Sequence, residues 1–209
     1  MQTILDNLEW IENNTPYIAG RLDKQRIAVV GRSAGSLTAA MLQGMRLRAA
    51  QNSLQTSESM LDERIKAGVL LAAVGKGGDD LHDSIREAYP ELNPDYSCMT
   101  TKNLVVYGDQ DVSAHFTTRH SDWHADPFYL SPGSDYLLTL VGAKHGLGGI
   151  AGFDAKETDD ENPDRLAITQ KMTSAYLKAA LYDNDAIWQQ ACAALQTFAR
   201  GHAHVESKK

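Results

Sequence analysis

The sequence has few cysteines, no long apolar run and no leader-like start. Its two cysteines, Cys98 and Cys192, lie far apart and outside any Cys-x-x-Cys or Cys/His ligand spacing. This argues against a disulfide framework or a zinc site and favours free thiols in a reducing compartment. The apolar run at 67–74 is too short to cross a bilayer, and acidic amphipathic sequence follows Met1 where a signal peptide would be basic and apolar. We therefore expect a cytoplasmic protein without a membrane span.

Basic residues are too sparse for a nucleic-acid surface. The chain has 20 Lys and Arg against 27 Asp and Glu, a net charge of −7, and the basic residues form no dense run. Phosphate binding needs clustered positive charge, so no nucleic-acid partner is expected. With 43% hydrophobic and 22% charged residues among 209, the composition suits a globular domain with one sizeable core. We predict a single domain at 1–200 and a polar tail at 201–209.

Short apolar runs alternate with segments of helical periodicity along the chain. The spacing of apolar residues predicts strands at 26–30, 67–74, 103–107 and 136–141. It predicts helices at 2–19, 36–50, 81–88, 165–181 and 186–199. Alternating strands and helices with apolar strands imply an α/β fold, in which a mostly parallel sheet is covered by helices on both faces.

A histidine-rich segment between the third and fourth predicted strands reads mostly as loop. It contains His115, His120 and His124, whose spacing fits neither the His-Glu-x-x-His helix nor the paired-ligand zinc patterns. Its Trp123 and Phe128 either line an acyl or alcohol pocket or anchor the long loop to the core.

A second segment, at 154–164, is rich in acidic residues. It includes Asp159, Asp160 and Glu161 but lacks the calcium-loop pattern, so it reads as a surface connector. We predict neither a metal nor an organic cofactor for the protein.

The turn Gly31-Arg32-Ser33-Ala34-Gly35 has the Gly-x-Ser-x-Gly pattern of a nucleophile elbow. A predicted strand precedes it and a predicted helix follows, which is the context that places a serine hydroxyl on a sharp strand-to-helix turn. The glycines would allow a strained backbone and close approach of neighbouring elements. The alternative is a glycine-rich turn that binds phosphate at a helix N-terminus, although the Gly-x-Gly-x-x-Gly arrangement is absent.

A serine hydroxyl needs a histidine base, and the histidine needs a carboxylate that orients its ring. Asp109 and Asp111 both follow the strand at 103–107, at the carboxyl end where ligand sites form in open α/β sheets. His145 follows the next strand between glycine-rich turns. The residues therefore give Ser, then acid, then His along the chain, with the acid being one of the two aspartates.

Three segments in this order resemble the α/β-hydrolase superfamily, and more narrowly the bacterial chlorophyllase, dienelactone hydrolase and platelet-activating-factor acetylhydrolase-like groups. They are RLDKQRIAVVGRSAG, VVYGDQD and YLLTLVGAKHGLGGIAGFD. The resemblance implies an α/β-hydrolase fold and a serine hydrolase of small carboxylic esters. It implies that Ser33 is the nucleophile, Asp111 the acid, His145 the base and the Ala34 N–H an oxyanion donor.

The chain departs from those families at two points. Many relatives have His where Arg32 stands, so Arg32 is a pocket residue that is expected to change the pocket's charge. The elbow comes by residue 31, so the N-terminal strands of the fold are expected to be missing. The central sheet edge would then be unpaired, which favours a homo-oligomer. The alternative to an esterase is an inactive hydrolase-like module that binds or oligomerises without turnover.

Overall fold

A mostly parallel five-stranded sheet forms the centre of the computed structural model, which describes residues 1–48, 57–150 and 160–208. The strands of the chain are β1 (Ile27–Arg32), β2 (Arg46–Leu47), β3 (Ile65–Leu71), β4 (Pro94–Asp95), β5 (Asn103–Gly108), β6 (Ser134–Leu140) and β7 (Ala203–Ser207). The sheet order is β1–β3–β5–β6–β7, parallel except for the antiparallel pair β6–β7. Strands β2 and β4 pair separately.

Helices cover both faces of the sheet. They are α1 (Gln2–Asp6), α2 (Leu8–Asn14), α3 (Ala34–Leu42), α4 (Asp83–Ala88), α5 (Asp126–Leu130), α6 (Pro163–Tyr182) and α7 (Asp185–Phe198). In β3, Val69 and Leu71 pack toward α6 and α7, whereas Leu70 packs in the cluster beneath α3. Such strands are apolar on both sides, as expected when helices bury both faces of a parallel sheet. The predicted α/β fold class is therefore confirmed.

The N-terminal segment forms two short helices where one was predicted at 2–19. Helix α1 ends at Asp6, and the φ of −109° and ψ of 14° at Asn7 interrupt the helix. The Asn7 side chain donates a hydrogen bond to the Thr3 carbonyl oxygen at 2.7 Å, and such side-chain bonds compete with helical ones. Of this segment, Leu5 packs partly against the cluster beneath α3.

The predicted helix at 36–50 is shorter than expected. It begins at Ala34 and ends at Leu42, and Gly44, with a φ of +108°, then turns the chain into β2. Residues 49 and 50 of that prediction lie outside the described residues. Of the helices that the structure does describe, none has the length and apolar character needed to cross a membrane.

The segment predicted as a polar tail, 201–209, contains the edge strand β7. Ala203 is 3% exposed and Val205 packs against the core under α6 and α7, while His204 is exposed. The strand thus alternates between buried and exposed side chains, and its high polar content hid this period-2 pattern in the sequence. The division into one domain at 1–200 stays a prediction, but the described part of 201–209 belongs to the sheet.

We expect that proline at His204 destabilises the protein far more than alanine does. The Val141 N–H donates to the His202 carbonyl oxygen at 2.8 Å, and the Lys208 N–H donates to the Asp135 carbonyl oxygen at 3.2 Å. In an antiparallel pair, every second residue of a strand hydrogen-bonds to the partner strand. His204 lies on the same alternation as His202 and Lys208, so its N–H also points towards β6. His204→Pro should lower the free energy of unfolding by about 1–3 kcal/mol, because a buried carbonyl oxygen of β6 loses the N–H that donates to it. Urea denaturation measures this.

His204→Ala is the matched control, since it removes an exposed side chain but keeps the N–H. It should stay within about 0.5 kcal/mol of the wild type. Equal stabilities of the proline and alanine variants would mean that this segment is a tail and not a strand.

Candidate active site

Ser33 occupies a strained turn between β1 and α3. Its φ of 51° and ψ of −127° lie in a region that non-glycine residues rarely adopt. The turn is held because the Ser33 N–H donates to the Leu71 carbonyl oxygen of the neighbouring strand at 3.0 Å. The serine is half-buried, and the turn directs its hydroxyl towards His145. The geometry is that of a nucleophile elbow.

The two glycines of this turn have different roles. A Cβ at Gly31 would clash with the Gly35 carbonyl group and lie 2.8 Å from the Cβ of Ala39. A Cβ at Gly35 would meet no atom within 4 Å. Gly31 therefore allows the close approach of strand and helix, while the positive φ belongs to Ser33 itself.

His145 lies within hydrogen-bonding distance of Ser33. Its Nε2 is 2.9 Å from Ser33 Oγ, and its side chain is 35% exposed. The histidine sits in the turn region after β6, and its carbonyl oxygen accepts a hydrogen bond from Arg32 Nη2 at 3.2 Å. Arg32 is half-buried, so this residue from the elbow helps to hold the loop that carries the imidazole.

Asp111 lies on the opposite side of the His145 ring. Its Oδ2 and Oδ1 are 2.9 and 3.2 Å from His145 Nδ1, and its side chain is 2% exposed. Burial raises the pKa of Asp111, but hydrogen bonds from His124 and His145 lower it more, so that the pKa falls to about 2. An ionised Asp111 accepts the Nδ1 proton of His145, which leaves Nε2 free to accept the Ser33 proton.

Asp109, the other aspartate after β5, has a different partner. Its Oδ1 accepts a hydrogen bond from the Gly142 N–H at 2.6 Å, and its carbonyl oxygen accepts one from the Ser121 hydroxyl at 2.7 Å. Asp109 thus ties together the turns that follow β5 and β6. Of the two aspartates, the structure brings Asp111 to His145.

Asp160 braces the His145 loop, although the sequence placed it in an acidic surface connector. It is 5% exposed, and its Oδ2 accepts hydrogen bonds from the Lys144 N–H at 2.8 Å and the Gly148 N–H at 3.3 Å. Arg165, which lies 3.5 Å from the other Asp160 oxygen, also donates to the Val141 carbonyl oxygen. The surface interpretation was wrong for Asp160 because an acidic run carries no signal of burial. Residues 154–159 lie outside the described residues.

His124 is a second histidine beside Asp111, and its spacing in the sequence gave no hint of this role. It is 2% exposed, and its Nε2 lies 3.3 Å from Asp111 Oδ2. His115 and His120 are exposed and do not join it. The long loop carries His124 on a turn of 3-10 helix at Ser121–Ala125, which packs beside β5.

The candidate pocket aromatics are packed in the interior. Trp123 is 2% exposed, lies in a cluster with Val74 and Leu81, and donates its indole N–H to the Lys76 carbonyl oxygen at 2.8 Å. Phe128 is 3% exposed and packs on the sheet in another cluster, beneath the Lys208 ammonium. Both placements are those of aromatic anchors that fix the long loop to the core.

The first N–H groups of α3 are the available oxyanion donors at the elbow. Ala34 is the first residue of the helix, so its N–H has no intrahelical acceptor. The helix N-terminus also carries a partial positive charge. Ala34 is exposed, so a carbonyl group approaching Ser33 from solvent can reach this end of the helix.

Asp111, His124 and His145 can also be considered as metal ligands, since their donor atoms lie within 4.8 Å of one another. An ion there would take Nδ1 of His145 and displace the proton that this nitrogen donates to Asp111. The remaining ring proton would then sit on Nε2, which could not accept a proton from Ser33. Only with Nδ1 donating to Asp111 can Nε2 accept the Ser33 proton across this 2.9 Å contact, so the hydrogen-bonded arrangement is the one that suits an activated serine. That the protein needs no metal stays a prediction.

Comparison with solved structures finds proteins of similar fold. The fold is similar to that of a novel thermophilic esterase, Est2, from the Planctomycetes species Thermogutta terrifontis, solved with propionate bound, at a TM-score of 0.45 and 15% identity. The match covers 84% of this chain and 62% of the esterase chain. No family model matches the sequence, and no curated protein matches it. The roles proposed for the site residues therefore rest on geometry.

Alanine at Gly31 should destabilise the elbow, whereas alanine at Gly35 should not. The added methyl group at Gly31 forces strand and helix apart, which typically costs about 1–3 kcal/mol of unfolding free energy. At Gly35 it points into open space within α3, where alanine is favoured over glycine by about 1 kcal/mol. Urea denaturation of both variants measures the difference. Similar losses at both positions would contradict the close approach described for Gly31.

The contribution of Asp111 to stability should disappear in acid. Its pKa is about 2 in the folded protein, against an ordinary value of 3.8. A lowered folded-state pKa stabilises the fold above the ordinary value, and this stabilisation is lost as the pH falls towards 2. The difference in unfolding free energy between wild type and Asp111→Asn should therefore shrink as the pH falls from about 5 towards 2. A difference that does not change with pH would contradict an ionised, hydrogen-bonded Asp111.

Proposed function

We propose that the protein is a serine hydrolase of the α/β-hydrolase type that cleaves small carboxylic esters through an acyl-enzyme. The observation that carries the proposal is the continuous contact from Ser33 Oγ to His145 Nε2 at 2.9 Å and from His145 Nδ1 to Asp111 at 2.9 Å. A nucleophile, a base and an orienting carboxylate within hydrogen-bonding distance are the recognised arrangement for activating a serine.

In the first half of the reaction, His145 Nε2 takes the hydroxyl proton as Ser33 Oγ attacks the ester carbonyl carbon. The carbonyl oxygen gains the negative charge, and Asp111 stabilises the imidazolium that forms. When the tetrahedral intermediate collapses, the bond to the alkoxy group breaks and His145 returns the proton to the departing alcohol. The acyl group is then bonded to Ser33.

In the second half, water repeats these steps on the acyl-enzyme. His145 takes a proton from water, the hydroxide adds to the acyl carbon, and Ser33 leaves with the proton returned by His145. In both halves, the Ala34 N–H is the proposed donor to the oxyanion, supported by its position at the start of α3. Removing one such donor typically lowers kcat by about 10²–10³-fold, so a site with fewer donors is a slower one.

Arg32 remains the proposed pocket residue. It is half-buried at the end of β1, donates to the His145 carbonyl oxygen at 3.2 Å, and brings a positive charge next to the reacting groups. No organic cofactor or metal enters the proposed steps, because the triad supplies the base, the acid and the nucleophile.

A fluorophosphonate probe should label Ser33 and no other serine. The probe reacts when a histidine base activates a serine hydroxyl, so peptide mapping after labelling tests the arrangement directly. Ser33→Ala should abolish the adduct, and Asp111→Asn should slow labelling by about 10³–10⁴-fold because His145 loses its orienting carboxylate. A chelator should leave labelling unchanged.

The exposed loop histidine offers a matched control for this experiment. His145→Ala should abolish labelling, while His120→Ala, which removes an exposed imidazole from the long loop, should label as the wild type does. A folded wild-type protein without an adduct would overturn the proposal.

The second candidate function is a hydrolase-like module that binds or oligomerises without turnover. The observation in its favour is that β1 is the outermost strand of the sheet and, within the described residues, pairs with β3 alone. An open strand edge is a template for pairing with another chain. A homo-oligomer by native mass spectrometry, combined with unlabelled Ser33, would favour this candidate over the esterase.

A further inference from the structure

His124 is a buried titratable group that the proposed reaction leaves unused. It is 2% exposed, and its Nε2 lies 3.3 Å from Asp111 Oδ2, the same oxygen that lies 2.9 Å from His145 Nδ1. The centroids of the two imidazole rings are 5.7 Å apart, so a charge on one ring affects the other. Asp111 and His145 are titratable groups in contact with His124.

The position of the His124 Nδ1 proton follows from its partner. Nδ1 lies 2.6 Å from the carbonyl oxygen of Ala73, an atom that can only accept a hydrogen bond. Nδ1 therefore carries a proton and donates it. The question is then whether the second ring nitrogen, Nε2, also carries a proton.

Nε2 of His124 faces two oxygens. Asp111 Oδ2 and Ser113 Oγ each lie 3.3 Å away. Asp111 is ionised, since its pKa falls to about 2 despite burial and the hydrogen bond from His145 is one of the contacts that lower it. A bare Nε2 lone pair next to a buried carboxylate oxygen would be repelled, whereas a proton on Nε2 makes a charge-assisted hydrogen bond. The alternative is a neutral ring whose Nε2 accepts the Ser113 hydroxyl proton.

We propose that His124 is a positioning residue that donates its Nε2 proton to Asp111, as an imidazolium, and thereby fixes the carboxylate against His145. Asp111 then divides its charge between two imidazole rings. This has two consequences: the carboxylate cannot rotate away from His145, and the positive charge on His124 makes His145 harder to protonate. The proposed base consequently stays neutral, and competent, at lower pH than with one partner alone. This inference rests on the proposed function of His145.

The first measurement is the protonation state of the His124 ring in the resting wild-type protein. Long-range proton–nitrogen NMR spectra distinguish a doubly protonated ring from a neutral one, and His124→Gln identifies the signals. Two protonated nitrogens at neutral pH are expected. A single proton, on Nδ1, would overturn the proposal. This measurement needs no turnover, so its outcome does not depend on whether Ser33 is labelled.

The second measurement has two parts. They are the pH at which the His145 ring titrates and the pH at which the rate of fluorophosphonate labelling falls on the acid side. His124→Gln keeps a neutral N–H donor but removes the charge, so both should move to higher pH by about one unit. His124→Phe removes the donor as well, and should also lower the plateau rate. An unmoved titration of His145 in His124→Gln would refute the electrostatic role, because a packing defect alone leaves it unchanged.

Ser113→Ala is the matched control. If His124 donates to Asp111, removing the Ser113 hydroxyl leaves the titration of His145 in place. If His124 is instead neutral and accepts the Ser113 proton, the same variant moves that titration to lower pH, because His124 then protonates more readily. This second result would overturn the proposal. Failure of the esterase proposal would be recognised separately, as an unlabelled Ser33 in a folded protein.

Discussion

The parallel pairing of β1, β3, β5 and β6 is the constraint on which the rest of the structure depends. Parallel strands end at the same edge of a sheet, so the turns that follow β1, β5 and β6 meet there although they are far apart in the chain. Those turns carry Ser33, Asp111 and His145. The hydrophobic cores on both faces of the sheet stabilise the pairing, and the pairing sets the distances within the site.

A buried carboxylate organises the electrostatics of this edge. Asp111 has little access to water, and burial alone would raise its pKa, but two imidazole rings supply the hydrogen bonds that water would otherwise give. One ring belongs to His145, on a half-exposed turn, and the other to His124, in the interior. The environments of the two histidines differ accordingly: His145 is partly accessible to solvent, whereas His124 is buried.

The His145 turn is held at several points by polar groups that the sequence did not single out. Asp160 accepts hydrogen bonds from the backbone on both sides of His145, Arg165 holds the end of β6, and Arg32 donates to the His145 carbonyl group. A site built from loops needs such supports, because errors of an ångström in the position of a base are costly to catalysis. The anchoring of the long loop by Trp123 and Phe128 has the same effect on His124.

The sequence by itself determined the fold class and the main chemical candidates. Apolar runs such as 67–74 and 103–107 reflect local strand propensity, and the elbow around Ser33 is a contiguous pattern, so neighbouring residues carry both signals. Tertiary structure alone decided what distant residues do together. It distinguished Asp111 from Asp109, brought His124 to Asp111, buried Asp160 and paired β7 with β6. Hydrogen bonds between residues far apart in the chain depend on the register and packing of the sheet, which no local pattern records.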